Sequence, residues 1–505
     1  MKKNSGSGES TFSGMLWKFA ERCSVQLISV VISIVLARIL VPDDYSVVSI
    51  VAIFFVVCNV FISGGFSTAL IQKKSTDSLD YATVLTISLG VAGVIYLMVF
   101  IAAPYISLAY EKEILTIAFR VMGLTFFINA LKSVLCAYVS KNMHFKKFFF
   151  STIIGTIISA FIGITMALNG CGAWSLVAQQ MSNSAIDTLI LLATAKLKIR
   201  LGFSLSRFKE LFSYGWKIFV SGIISVIYDE SRPLVVGLKF SATDLAYYNK
   251  GQTYPNLVNA TVCDTISSVL FPAMARVQDS KKAVLKLTRQ FMQISSYLIF
   301  PIMIGLLMVS DEFIVILLTE KWAMAIPYVK IFCLSGLLAI VQTGNLQAIR
   351  AIGRSDVILI LEIIKKSLYL AIILLFIFLS DQPTWLAFST VICALLASVI
   401  NSMPNRKLIG YRYIDQIKDL GVNLLLAAAM AGCVYLVGLI GLSIYWSLIL
   451  KVLTGAVVYV LLSVVTKNKS FKYILRIVTQ KFARKRIVNQ EALKHEDLTV
   501  KQADA

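Results

Sequence analysis

The sequence predicts an all-α polytopic membrane protein with about fourteen transmembrane helices. Three observations lead to this prediction: 58% of the 505 residues are hydrophobic, only 15% are charged, and the mean hydropathy is +0.79. Soluble proteins carry roughly 25% charged residues, and a soluble chain of this length would need more polar surface to cover its core. A soluble enzyme, a disordered chain and a secreted disulfide scaffold are therefore excluded.

Long apolar runs set the positions of the predicted helices, because about 20 apolar residues cross the ~30 Å hydrocarbon core. The first run lacks the small-residue cleavage site of a signal peptide, so we interpret it as a membrane helix. Connections after odd-numbered spans are short, whereas those after even-numbered spans are basic. The predicted spans are 15–39, 46–70, 82–103, 114–139, 148–168, 173–195, 213–238, 247–272, 289–310, 326–349, 357–379, 384–402, 420–439 and 444–466.

Lysine and arginine are distributed unequally between the two predicted faces of the membrane. Predicted inner segments and the C-terminal tail hold 33 of them, against three in the predicted outer loops. Cytoplasmic loops collect basic residues, so both termini are predicted to be cytoplasmic and the number of spans to be even. The same rule accounts for the net charge of +21 without a nucleic-acid partner.

A weak internal repeat indicates two lobes of six helices in a pseudo-twofold arrangement. The segment Leu16-Trp17-Lys18 opens span 1, and Gly215-Trp216-Lys217 opens span 7, at an offset of about 200 residues. Repeated halves around a midplane site are typical of secondary transporters. The predicted domains are an N-terminal lobe at 1–196, a cytoplasmic linker at 197–212, a C-terminal lobe at 213–410, two extra helices at 411–466 and a tail at 467–505.

The tail combines apolar residues at helical spacing with many basic ones between residues 467 and 486. This pattern favours a basic amphipathic helix on the anionic inner leaflet. A solvated charged tail is the alternative. Residues 490–505 are polar and are predicted to be disordered.

Catalytic and metal-binding patterns are missing from the sequence. It has no phosphate-binding loop of the form G-x-x-x-x-G-K-[ST]. Neither of its two histidines, His144 and His495, lies at metal-ligand spacing from another metal-binding residue. No pair among the eight cysteines is close in sequence. We therefore expect a protein that is not an enzyme and has no catalytic residue, metal site or organic cofactor.

Ionisable residues inside the predicted spans are the candidate functional residues, because charge in lipid is costly and normally faces a bundle interior or a water-filled cavity. Lys18, Glu21 and Arg22 share one face of span 1. They are interpreted either as the inner mouth of a cationic cavity or as side chains that snorkel to the surface. Lys132 in span 4 and Lys250 in span 8 are further candidates for the lining of the cavity.

Span 7 carries a cluster of charge in its predicted outer half. Asp229, Glu230 and Arg232 lie within four residues, and Pro233 removes a backbone hydrogen bond beside them. The proline predicts a hinge, and Glu21, Asp229 and Glu230 are the candidates for a coupling ion, H⁺ or Na⁺. An internal ion pair between the halves is the alternative for this cluster.

The excess of cations within the spans favours an anionic head group as the transported substrate. A pyrophosphate-linked sugar carries about two negative charges, and each is worth ~2.3 kcal/mol per 100 mV of membrane potential. Lys18, Arg22, Lys132, Arg232 and Lys250 are the predicted substrate-binding residues. An exporter of anionic drugs has the same pattern of charge, so this alternative stays open.

Short motifs recur along most of the chain, to about residue 466, and are informative through their order and spacing. They are Arg232-Pro-Leu-Val-Val-Gly237, Asp244-Leu-Ala-Tyr-Tyr-Asn-Lys-Gly251, Pro255, Val269-Leu-Phe-Pro-Ala273, Gln278-Asp279, Glu320-Lys-Trp322, Gly170-Cys-Gly-Ala-Trp174, Asn345-Leu-Gln-Ala348, Gly353-Arg-Ser-Asp356 and Glu362-Ile-Ile-Lys-Lys366. Together these motifs resemble those of the oligosaccharide flippases, the polysaccharide transporter branch of the multidrug/oligosaccharidyl-lipid/polysaccharide exporter superfamily.

The resemblance implies alternating-access export of polyprenyl-pyrophosphate-linked oligosaccharide units across the bacterial inner membrane, for lipopolysaccharide or exopolysaccharide. Helices 1, 2, 7 and 8 line the cavity in this family, which supports Arg22, Arg232 and Lys250. Many relatives carry Asp where Arg232 stands, so a coupling role for this position is disfavoured. Membrane lipids and other polysaccharide-assembly proteins are the further expected partners. A multidrug or small-metabolite exporter, a membrane enzyme of polysaccharide assembly and a non-transporting scaffold remain alternatives.

Overall fold

The residues described by the computed structural model are helical and contain no strand, as the predicted all-α class requires. The description covers 24–475 without 64, 74, 143, 196–201, 265, 266, 268–273, 275, 380 and 474. The first half has α1 (Ser24–Ile39), α2 (Pro42–Ser63), α3 (Phe66–Gln72), α4 (Ser78–Ala109), α5 (Ile114–Gly123), α6 (Thr125–Lys141), α7 (Phe145–Leu168), α8 (Ala173–Ala195), α9 (Leu205–Lys239) and α10 (Ala242–Asn259). The second half has α11 (Lys281–Leu318), α12 (Ile326–Leu337), α13 (Ala339–Ala351), α14 (Ser355–Leu379), α15 (Pro383–Leu408), α16 (Tyr413–Gly438) and α17 (Ile444–Val465).

The chain is a multi-pass membrane protein. Within the described ranges, nine segments are long and apolar enough to cross a membrane. The helix α1 is apolar but shorter, and α8, α9, α10 and α14 cover predicted spans with more polar or charged residues. The count of fourteen spans stays a prediction. The nine segments are Pro42–Ser63, Ser78–Ala109, Ile114–Lys141, Lys146–Leu168, Lys281–Leu318, Glu320–Ala351, Pro383–Leu408, Tyr413–Gly438 and Ile444–Val465.

Four predicted spans differ from the continuous helices that their apolar runs suggest. Span 2 breaks between α2 and α3 at Gly65, whose φ of 72° suits glycine. Span 4 breaks at Leu124, span 10 breaks at Leu338, and span 8 changes to a π-helical turn at Ala260–Asp264. Spans 2 and 8, and spans 4 and 10, are partners in the predicted repeat. Interrupted helices at matching positions of two halves commonly mark a transport site.

The helices form two compact units, which are described separately. The first unit comprises Met1–Lys250, Leu317–Ala325 and Ile373–Ala387, and the second comprises Gly251–Ile316, Ile326–Ile372 and Phe388–Ala505. The first unit includes α9 because this helix packs along α2, α3 and α4. The lobe boundaries given by the sequence repeat remain predictions.

Close packing of α7 on α8 fixes the position of α8 in the first unit. The turn between them contains Gly170 and Gly172, both with positive φ. A Cβ atom on Gly163 would lie 2.7 Å from the Cβ atom of Gln179, so only glycine permits this approach of the two helices. The polar residues of α8 are thereby held against α7.

Polar contacts attach α16 and α17 to α11 in the second unit. Ser447 donates to Glu312 at 2.8 Å, and the same carboxylate binds Lys451. Farther along, Tyr459 donates to the carbonyl of Tyr297 at 2.9 Å. Such hydrogen bonds between helices supply part of the packing energy where the surrounding lipid provides no hydrophobic driving force.

Candidate functional site

A cavity of about 290 Å³ lies inside the first unit. Its walls come from α1, α2, α8 and one residue of α10, so three separate parts of the sequence converge on it. The residues that line it are Ser29, Ile32, Ser33, Leu36, Tyr45, Val48, Ser49, Ala52, Leu176, Gln179, Gln180 and Asn249.

The polar part of the lining consists of hydroxyl and amide groups. Gln179 and Gln180 follow each other on α8, and Ser29 and Ser49 reach the cavity from α1 and α2. Within the described part of the chain, the side-chain amides of the two glutamines have no hydrogen-bond partner. A polar group without an internal partner is tolerated at membrane depth where it lines a water-filled or ligand-filled space.

Lys250, one of the predicted substrate-binding residues, lies behind the wall of this cavity, against the lining residues Ser33 and Tyr45. Its side chain is only 5% exposed. The ammonium group donates to the hydroxyl of Ser33 at 2.8 Å and to the carbonyl of Ser33 at 3.3 Å. It also lies 4.6 Å from the ring centroid of Tyr45 and 5.3 Å from that of Trp322, distances that permit cation–π attraction.

Trp322 holds the aromatic side of the lysine site in place. Its indole N–H donates to the carbonyl of Ala37 at 2.9 Å, and its side chain is fully buried. The rings of Tyr45 and Tyr247 meet it edge-to-face at centroid distances of 5.1 and 6.0 Å. The short helix Glu320–Ala325 that carries Trp322 is thus fixed against the end of α1.

An outer cluster of polar contacts lies at the end of the first unit that is predicted to face outward. We define it as Arg38, Asp43, Lys112, Thr243 and Leu317. Asp43 pairs with Lys112 and accepts a hydrogen bond from Thr243 at 3.0 Å. Arg38 donates to the carbonyl of Leu317 at 2.9 Å. These contacts join the starts of α2 and α10 to the loop after α4.

An inner cluster lies at the opposite end, which is predicted to be cytoplasmic. We define it as Lys73, Asp77, Asp80, Arg207 and Glu210. Lys73 bridges Asp80 at 2.9 Å and Glu210 at 2.8 Å, and Arg207 pairs with Asp77 at 2.8 Å. Burial opposes the charge on Lys73, but its hydrogen bonds to the two carboxylates raise its pKa above the ordinary value. The start of α9 is thereby attached to the loop between α3 and α4.

Close contact between α2–α3 and α9 continues from the inner cluster into the membrane. A Cβ atom on Gly65 would lie 2.3 Å from the carbonyl oxygen of Gly215, and one on Gly222 would lie 3.3 Å from a methyl group of Val60. The rings of Phe61 and Phe219 meet at 5.3 Å. The two backbones are in direct contact here, and the small residues permit it.

The remaining predicted site residues divide into three groups. Lys18, Glu21 and Arg22 lie outside the described residues. Lys132 forms an ion pair of 2.7 Å with Asp187, a buried carboxylate on α8. On α9, Asp229 is exposed, Glu230 and Arg232 are half-buried, and Pro233 is buried in a helix that continues through it. Their roles in substrate binding, ion coupling and bending stay predictions.

Sequence reasoning missed several residues of the site, namely Ser33, Tyr45, Trp322, Gln179 and Gln180. Gln179 and Gln180 are two adjacent amides within an apolar run, a signal as informative as the charged residues that were singled out. Trp322 appeared only as part of a motif, and nothing local indicated its contact with α1.

A helical membrane bundle with an internal polar cavity and interrupted helices has the architecture of a secondary transporter. The chain belongs to the polysaccharide biosynthesis protein family, which matches residues 35–327. This range contains both clusters, the lining of the cavity from Leu36 onward, and Lys250.

Two curated proteins and one solved structure are similar to the chain. The succinoglycan biosynthesis transport protein ExoT of Rhizobium meliloti is 24% identical over 60% of this chain and 61% of its own length. The lipopolysaccharide biosynthesis protein WzxC of Escherichia coli is 23% identical over 73% of this chain and 75% of its own. The lipid II flippase MurJ, in an inward closed conformation, matches with a TM-score of 0.73 at 15% identity, over 90% of this chain and 98% of that one. This last likeness concerns the fold.

Proposed function

We propose that the protein is a flippase for polyprenyl-pyrophosphate-linked oligosaccharides. It moves these units from the inner to the outer leaflet of a bacterial inner membrane, with both termini in the cytoplasm, for surface polysaccharide biosynthesis. The observation that carries the proposal is a polar cavity among these helices, with a buried lysine directly behind its wall. Membership of the polysaccharide biosynthesis protein family supports this substrate class.

The two contact clusters support alternating access as the mechanism. The outer cluster and the inner cluster lie at opposite ends of the first unit, and each is made of hydrogen bonds and ion pairs near the membrane surface. The exposed pair of Arg207 and Asp77 contributes only about 0–1 kcal/mol. Lys73 and Asp80 are largely buried, so opening the inner end also requires water to reach these two groups. Breaking the inner cluster admits the lipid-linked unit, and breaking the outer cluster releases it.

In this mechanism the substrate's charged part is attracted by the cations of the site. Lys250 attracts it from behind the cavity wall without direct contact in this conformation, and Lys18, Arg22, Lys132 and Arg232 are the further proposed contacts, with Lys132 shared with Asp187. Glu21, Asp229 and Glu230 are the proposed coupling groups for H⁺ or Na⁺. Pro233 is the proposed hinge.

Deletion of the gene tests the proposal in the cell. We expect the lipid-linked oligosaccharide to accumulate in the inner leaflet and surface polysaccharide to be lost, and the wild-type gene to restore both. The leaflet is read from the accessibility of the sugar to an impermeant oxidant in spheroplasts. Normal polysaccharide without a trapped intermediate, together with altered drug tolerance, would instead favour export of small molecules.

A further inference from the structure

We infer that the cavity of the first unit is a subsite for an uncharged sugar ring, and that the pyrophosphate of the substrate is held elsewhere. The inference rests on the proposed function and specifies which part of the substrate this cavity receives. It follows from the chemistry of the lining, the absence of available charge and the volume.

The lining offers hydrogen bonds from three directions. Gln179 and Gln180 present amides from α8, Ser29 presents a hydroxyl from α1, and Ser49 presents one from α2. Each amide provides two donors and an acceptor, and each hydroxyl both donates and accepts. Neighbouring sugar hydroxyls also donate and accept, so this set matches a sugar ring better than it matches an acceptor-only phosphate.

The two glutamines need such a partner. Gln180 is exposed to the cavity on a membrane helix, and its amide has no hydrogen-bond partner within the described ranges. An amide moved out of water without a compensating hydrogen bond costs roughly 2–7 kcal/mol, depending on the reference state. Sugar hydroxyls offer these amides the same hydrogen bonds as water does, so a ring can bind here without loss of hydrogen bonds.

Charge is not available to an anion in this cavity. None of the residues that line it within the described part of the chain is ionisable at neutral pH. Lys250, which adjoins the lining at Ser33, is covered by Tyr45 and Trp322 and bonded to Ser33. A phosphate in the cavity would lose its hydration and gain no cation directly, which is unfavourable.

The volume of the cavity also favours a single sugar ring as the bound group. Small-molecule cavities span ~300–1,000 Å³, and this one is at the lower end with about 290 Å³. A single ring fits this space better than a whole repeat unit does. The apolar side of the lining, with Ile32, Leu36 and Val48, gives a face for the C–H surface of the ring.

Binding of two lipid probes tests the inference. The probes are the polyprenyl-pyrophosphate-linked oligosaccharide extracted from the host and the same polyprenyl pyrophosphate without sugar, and native mass spectrometry gives both dissociation constants. For Gln179→Met/Gln180→Met we expect at least tenfold weaker binding of the sugar-bearing probe and unchanged binding of the sugar-free probe. The matched control is Gln26→Met, an exposed glutamine on α1 outside the lining, which should change neither constant.

Two results would overturn the inference. Unchanged binding of the sugar-bearing probe by the double variant would show that no sugar is held there. An equal loss for both probes would show that the cavity receives the pyrophosphate instead. Failure of the proposed function has a different signature, because wild-type protein would then bind neither probe in preference to ordinary phospholipid.

Discussion

Lys250 is a buried ammonium group whose partners are a hydroxyl, a carbonyl and two aromatic rings, and no carboxylate of the described residues contacts it. Cation–π contacts contribute about 0.5–2 kcal/mol each, whereas withdrawal of an ion from water costs several kcal/mol. The site is therefore not optimised for stability. A lysine in such a place is better explained by attraction of an anionic substrate than by packing.

Replacement of Lys250 by methionine separates these two roles. We expect Lys250→Met to lower transport at least tenfold while the free energy of unfolding stays within about 1 kcal/mol of wild type or rises, because an unpaired buried charge is removed. Complementation of the deletion strain and thermal unfolding of the purified protein measure the two quantities. Lys365→Met is the control: Lys365 is also 5% exposed but pairs with Glu362 at 2.6 Å, so its loss should destabilise the protein.

For the ion pair of Lys132 and Asp187 we expect, unlike for Lys250, that replacement of either residue alone lowers stability. Asp187→Asn or Lys132→Met alone should destabilise the protein, and Lys132→Met/Asp187→Leu should recover most of the loss, because the double variant leaves no unpaired charge. We expect a coupling energy of about 1–3 kcal/mol, reduced because Lys132 is 32% exposed. Additive effects in denaturant unfolding would show that the two groups do not interact. Transport by the stable double variant decides whether Lys132 contacts the head group.

At this scale the sequence identified the charged residues but not their surroundings. Lys250 was predicted because a charge within a span is conspicuous. Trp322 and Ser33 were not, because their contacts with Lys250 join segments that lie far apart along the chain. The pairing of Lys132 with Asp187 was not predicted for the same reason, since the two residues lie on different helices.

At the scale of the elements, the break between α2 and α3 positions the contact with α9. Gly65 combines a positive φ with a backbone approach to Gly215 that leaves no space for a Cβ atom. The apolar run of span 2 predicted the helix, and the pair Gly64-Gly65 within it was an available signal for a break. The breaks at Leu124 and Leu338 had no such signal, because leucine favours a helix and tertiary packing decides the matter.

Substitution of Gly65 measures the importance of this approach. Gly65→Ala should reduce transport and lower the melting temperature by more than Gly353→Ala does. Both positions have φ of 72–80°, but a Cβ atom on Gly353 meets nothing within 4 Å, so its variant carries only the cost of the backbone conformation, about 1 kcal/mol. Equal effects of the two substitutions would mean that α9 has room to shift away from Gly65.

A disulfide between α2 and α9 tests whether these helices must separate. In a background without the eight native cysteines, oxidised Val60→Cys/Gly222→Cys should block transport, and a reductant should restore it. The control is Val434→Cys/Gly455→Cys, another valine–glycine contact, at 3.4 Å between α16 and α17, which should cross-link without loss of transport. Unimpaired transport by the cross-linked Val60–Gly222 pair would exclude opening at this contact.

At the scale of the whole molecule, composition and the distribution of charge were sufficient to predict a polytopic helical membrane protein. Its membership of the polysaccharide biosynthesis protein family agrees with the resemblance carried by its motifs. The cavity could not be predicted, because it depends on the packing of α1, α2, α8 and α10 and not on any one of them. The proposed alternating access relates the cavity to the inner and outer clusters, since it requires one cavity and two ends that open in turn.

Flipping by the purified protein in liposomes tests this account most directly. The substrate is the host's polyprenyl-pyrophosphate-linked oligosaccharide, and the readout is the rate at which its sugar becomes accessible to an impermeant oxidant. We predict a rate at least tenfold above that of protein-free liposomes, lost in Lys250→Met and in the oxidised Val60–Gly222 pair. A rate equal to that of protein-free liposomes, with folded wild-type protein in the membrane, would contradict the account.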